Sequence, residues 1–140
     1  MKILRLLISV ILLSMFVRFT GGETTPAPSP ISNLTAPQYN PSTEITLKGT
    51  VTEISDRVCP ISGGMGFHFI LKTADAKTIE VHVATSKFVK DFEMGVKVGD
   101  QVEVLGSKVK FEGEDTIMAR QITRGNDVFV FRYKDGKPAW

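Results

Sequence analysis

From Glu44 onward, apolar and polar positions alternate in short runs, the period of strands buried on one face. In Glu44–Ser55 (EITLKGTVTEIS), Ile45, Leu47 and Val51 fall on one side, Gly49 interrupts the run and Ile54 breaks the alternation. A long strand with an internal glycine suits a chain that bends around a barrel corner. A loop is expected over Asp56–Gly66, where Cys59-Pro60 and Gly63-Gly64 break regular structure. Gly66–Thr73 and Lys77–Ala84 read as a hairpin about Ala74-Asp75-Ala76. Setting Phe67 opposite Val83, Phe69 opposite Val81 and Leu71 opposite Ile79 buries every apolar partner on one face. A slip of one residue would expose them all, so this matching sets the register. The same register puts His68 directly opposite His82 on the other face.

The period then changes. Phe88, Val89 and Phe92 form one stripe of a short helix over Thr85–Met94, with Thr85 or Ser86 as N-cap and Gly95 as the stop. Gln101–Ser107 is a fourth strand with Val102 and Val104 inward, and Lys108–Asp115 reads as a polar hairpin loop. Thr116–Thr123 is a fifth strand. Ile117 and Ala119 favour one face and Met118 and Ile122 the other, which predicts a bulge. Asp127–Arg132 can add an edge strand. The order β-β-β-α-β-β, with a long bent first strand, predicts an all-β fold: a five-stranded OB-type Greek-key barrel with one short helix between strands three and four.

The N-terminal residues change the domain and charge picture. Lys2 and Arg5, the twelve apolar residues Leu6–Val17 and the small Thr20-Gly21-Gly22 read as a secretory signal peptide over residues 1–22, with an uncleaved anchor as the alternative. Residues 23–43, rich in Pro, Ser and Thr, read as a disordered tether, and 44–140 as the folded domain with a C-terminal extension. The expected location is periplasmic or secreted. Of the 17 Lys and Arg in the chain, three (Lys2, Arg5, Arg18) lie in the signal, leaving 14 against 15 Asp and Glu. A nearly neutral domain argues against a nucleic-acid binder, whose affinity comes largely from phosphate neutralisation. Lys108, Lys110, Arg120, Arg124 and Arg132 read accordingly as ordinary surface charge among Glu112, Glu114 and Asp115.

Lys48-Gly49-Thr50-Val51, the hairpin, the helix and Val98-Gly99-Asp100-Gln101-Val102-Glu103-Val104-Leu105-Gly106 together resemble the bacterial OB-fold family of small periplasmic proteins, over residues 44–123. That resemblance implies export, a lone OB domain and binding of small cationic or other ligands. The Cys-Pro…Gly-Gly loop and the tail Phe131–Trp140 depart from the family's usual pattern.

The chemistry centres on the two histidines. Directly opposed residues have Cβ atoms ~4.5–5.5 Å apart, within reach of one metal ion. Cys59 and Met65 lie in the loop entering the same strand. Thiolate, thioether and imidazole together suit copper; two imidazoles and a thiolate also suit zinc. The candidate metal site is therefore Cys59, His68, His82 and Met65, and the flanking ligand face Ile70, Lys72, Thr78 and Glu80. The competing reading makes both histidines solvent-facing, Cys59 a small buried side chain and Met65 a gap filler. As the only cysteine, Cys59 has no intramolecular disulfide partner. A Cys59/His68 nucleophile and base lacks an orienting third group and an oxyanion site, so the chain reads as non-catalytic. The expected partners are a metal ion or small ligand; the alternative is an envelope protein bound by the barrel and tail. An oligonucleotide ranks below both.

Overall fold

A computed structural model describes residues 35–140 of the protein. The signal peptide and the first part of the tether lie outside the described residues. Among those described, no helix is long and apolar enough to cross a membrane. The elements are β1 (Glu44–Cys59), β2 (Gly64–Thr73), β3 (Thr78–Thr85), α1 (Ser86–Asp91), β4 (Gln101–Phe111), β5 (Glu114–Arg124) and β6 (Asp127–Val130). The sheet order is β3-β2-β1-β4-β5-β6, and a parallel pairing of β3 with β5 closes it. This is the expected OB-type barrel, with the short helix between β3 and β4 and β6 added at the edge.

β1 is central because it bends. Its first half pairs with β4 and its second half with β2, and Gly49 is paired on both sides. A Cβ at Gly49 would lie 2.3 Å from the Lys72 carbonyl oxygen, so only glycine permits this close crossing. A bulge between Val51 and Glu53 adds to the bend.

The hairpin register matches the expectation for Leu71 with Ile79, Phe69 with Val81 and His68 with His82. It departs at one end, where Phe67 pairs with Ala84 rather than Val83. The unpaired residue is a bulge at the point where β3 leaves the sheet for α1, and bulges sharpen twist there. The bulge expected in the fifth strand is also present, beside Arg120: Gly106 pairs with Ala119 but Leu105 with Gln121.

Two expected loops are instead strands. β1 and β2 run on through most of 56–66, leaving only Pro60–Gly63 as the turn. β4 and β5 likewise extend to a two-residue turn at Glu112-Gly113, both residues with positive φ (53° and 87°). The polar residues of 108–115 pair across the strands, with Lys108 and Lys110 both on Asp115. The helix is shorter than expected. Thr85 Oγ1 accepts from Phe88 N, but Glu93 adopts a left-handed conformation (φ 51°) two residues before Gly95.

Val51, Phe69, Leu71, Val81, Val104, Ile117, Ile122 and Phe131 form the centre of the core. Both ends of the described chain pack onto the barrel. Asn40 N donates to Ser107 Oγ at 3.1 Å, and Tyr39 Oη donates to Glu44, which also holds Arg120 at 2.7 Å. The ordered unit thus includes the last part of the stretch expected to be a tether. The tail returns through Ala139 N on the Phe131 carbonyl, and Trp140 Nε1 donates to the Ser62 carbonyl at 3.3 Å.

Candidate metal centre

The extension of β1 places Cys59 beside the histidine pair. Its far half runs antiparallel to β2, pairing Ser55 with His68, Arg57 with Gly66 and Cys59 with Gly64. Side chains alternate along a strand, so Arg57, Cys59 and His68 share one face, and the cross-strand register adds Glu80 and His82 from β3. Cys59, His68 and His82 are all buried, at 2%, 1% and 2% exposure. The competing reading of solvent-facing histidines fails because the end of β1 and the extended β4–β5 hairpin cover this end of the face. Phe111 from that hairpin packs edge-on against His82, with centroids 5.4 Å apart.

Gly66 makes the approach possible. A Cβ there would lie 2.2 Å from Ser62 Oγ, 2.7 Å from His68 Nε2 and 3.1 Å from Cys59 Cβ. Into this gap fit Cys59 Sγ, 3.4 Å from His82 Nδ1, and the two imidazoles, whose centroids are 4.3 Å apart.

Glu80 orients the histidines. Its Oε1 accepts from Arg57 Nη2 at 2.5 Å and lies 2.9 Å from His68 Nδ1; its Oε2 is 3.7 Å from His82 Nε2. Burial raises the Glu80 pKa, but hydrogen bonds from Arg57 and His68 outweigh it and hold the carboxyl below its ordinary value. An ionised carboxylate only accepts, so His68 donates to it from Nδ1. His68 Nε2 and His82 Nε2 are buried without a hydrogen-bond partner. Burial likewise pushes the Cys59 thiol up, but hydrogen bonds from His68, His82 and Ser62 bring it down to about 5. The centre therefore presents a thiolate at neutral pH.

These donors fit a metal ion. One ligand atom from each of Cys59, His68 and His82 lies within 4.8 Å of the other two. Three atoms at that spacing surround a point ~2.8 Å from each, against metal–sulfur and metal–nitrogen bonds of ~2.3 and ~2.0 Å, so closure needs shifts of under ~1 Å. The tightest pair needs none: a tetrahedral metal holds sulfur and nitrogen ~3.6 Å apart. A carboxylate behind a ligating imidazole is also the usual way its tautomer is fixed.

The other expected site residues divide. Met65 lies on the opposite face, paired with Val58, and is half exposed, because the residue aimed at the centre from that part of β2 is its neighbour Gly66. Glu80 belongs to the centre itself. Ile70 and Thr78 line a cleft of about 300 Å³ beyond Glu80, together with Phe111 and Thr116. Lys72 is exposed outside that cleft. Met118 carries no sequence signal for the site, yet it pairs with His82 across β3 and β5 and is 3% exposed. Arg57 and Phe111 give no signal either, since both fall in stretches that read as loops. A glycine inside a strand pattern, marking close approach, is the one sign that points to Gly66.

The basic residues form no free strip. Lys108 and Lys110 meet Asp115, Arg120 meets Glu44, Arg124 meets Asp100 and Asp127, and Arg132 is buried.

Compared with known proteins, residues 43–129 match the profile of the MamS/MamX magnetosome protein family. No curated protein matches the chain. Among solved structures, it is similar to the small single-stranded DNA-binding protein of Streptomyces coelicolor at 22% identity, over 65% of this chain and 96% of that one, with a TM-score of 0.46. The N-terminal domain of the PriB protein from Thermoanaerobacter tencongensis is similar at 21% identity, over 61% and 99%, with a TM-score of 0.42.

Proposed function

For a chain that belongs to the MamS/MamX magnetosome protein family, we propose the role of an exported, non-catalytic OB barrel that binds a transition metal through Cys59, His68 and His82. The observation that carries this reading is the convergence of three buried donors, with His68 Nε2 lacking a protein partner. Buried polar atoms without partners are costly and call for an explanation. Copper is the preferred ion and zinc the second. A thiolate with two imidazoles suits both, and the soft sulfur donor is of the kind copper takes. Glu80 fixes the His68 tautomer, and Arg57 holds Glu80 in place. Export rests on the signal-like residues 1–22.

The test is metal content and affinity of the full chain beside a His68→Ala/His82→Ala double variant and a Met65→Leu control. Stoichiometric copper or zinc, lost in the double variant and kept in the control, supports the reading. Absence of metal from the wild-type chain, or affinity unchanged in the double variant, overturns it. A second reading, an envelope adaptor, is favoured by the edge strand β6, where Val128 and Val130 are exposed. Such an edge is open to pairing with a partner chain. Partner capture retained in the double-histidine variant would favour this second role.

A further inference from the structure

Among the described residues, Arg132 is the only buried Lys or Arg, at 4% exposure, and no carboxylate lies within ion-pair distance of it. Its guanidinium lies over the Trp140 ring at 4.6 Å and the Tyr39 ring at 5.7 Å, so the aromatic side chains cover its faces. Only the N–H edge remains for hydrogen bonding. Nη1 donates to the Gly136 carbonyl at 3.2 Å, and Nε is buried with no partner. A buried charge is normally paired and hydrogen-bonded, because desolvation is otherwise uncompensated. Here burial lowers the Arg132 pKa only to about 10, so the group stays cationic at neutral pH.

Arg132 is one of the residues that line a cavity of about 340 Å³ between the incoming chain and the C-terminal tail. Tyr39, Pro60 and Met118 form part of its wall, and Lys137 adds a second cation at an exposed position. The one acid on this wall, Asp135, is turned to Lys137 at 2.8 Å. We propose that this cavity binds a small carboxylate anion, anchored on the Arg132 guanidinium. A guanidinium edge matches a planar carboxylate through two parallel N–H···O bonds, which a lysine cannot reproduce. The aromatic cover keeps water away and holds the fork in one orientation. This site uses none of the three proposed metal ligands and stands whether or not metal binds.

The test is a titration of the metal-free full chain with acetate at constant ionic strength, followed by NMR of the arginine Nε–H signals, with chloride and inorganic phosphate in parallel. Saturable displacement of the Arg132 Nε–H signal by acetate and not by chloride is expected, abolished in Arg132→Gln and weakened several-fold in Lys137→Glu. A response to acetate no different from chloride overturns the site. Saturable binding that survives Arg132→Gln overturns the anchor, and binding of phosphate alone overturns the carboxylate class. Lys137 is exposed, so the Lys137→Glu comparison holds even if Arg132→Gln fails to fold.

Discussion

Cys59 offers the sharpest test of the centre's electrostatics. Its pKa falls from 9.0 to about 5 in the folded protein, although burial alone pushes it the other way. Hydrogen bonds from the imidazoles and Ser62 to the thiolate are responsible, and Cys59→Ser removes the ionised sulfur without changing the side chain's shape much. A depressed acid pKa stabilises the fold when the group is ionised. The contribution is complete above the unfolded value near 9, declines as pH falls, and is gone below about 5. A tenfold change in proton affinity is worth ~1.4 kcal/mol, so at pH 7, two pH units above the folded pKa, the thiolate contributes ~3 kcal/mol. Difference absorbance at 240 nm between the metal-free wild type and Cys59→Ser should therefore show a thiolate that titrates near pH 5. Urea unfolding at pH 5, 7 and 9 should show the stability gap between the two proteins widening by ~1.4 kcal/mol per pH unit. A titration midpoint between 8 and 9, with a gap that does not change with pH, would refute the arrangement of imidazoles and Ser62 around the sulfur.

Two further substitutions probe the frame around that sulfur. Gly66→Ala puts a methyl group 2.2 Å from Ser62 Oγ and 2.7 Å from His68 Nε2; overpacking of this kind costs ~1–3 kcal/mol in chemical denaturation, and metal affinity should fall with it. Glu80→Gln removes the charge behind His68 while keeping its size; metal affinity should drop ~10–100-fold by competition with a chelator, and an unchanged affinity would show that Glu80 does not orient the ligand.

The barrel is legible in the chain because its strands alternate cleanly where one face is buried. Phe69, Leu71, Val81 and Ile79 determine the hairpin register, and the histidine pair follows from it. The bend at Gly49 and the bulge in the fifth strand are legible for the same reason: each interrupts a pattern that is otherwise regular. The lengths of β1 and β4 are not. Asp56–Cys59 and Lys108–Phe111 are polar or mixed, and their strand character comes from cross-strand partners such as Lys110 with Asp115 and Arg57 with Glu80. That tertiary pairing also explains the misplacement of Met65. As a loop residue it would be free to reach the histidines; held in β2, alternation turns it away and turns Gly66 inward. Arg132 shows the same limit, since nothing in Phe131-Arg132-Tyr133 says that Tyr39 and Trp140 will close over a guanidinium.

The buried centre also has an unbalanced charge, and this bears on its ligand. The Cys59 thiolate and Glu80 carboxylate supply two negative charges, and Arg57 supplies one positive charge, 2.5 Å from Glu80. Removing net charge from water is costly unless something compensates it locally. An elongated polyanion would add to the excess, and the cationic groups it would need are already engaged with Asp115, Glu44, Asp100 and Asp127. A cation relieves it. A cation at this barrel end accords with the proposed metal role. Of the two candidate ions, the soft sulfur donor points to copper.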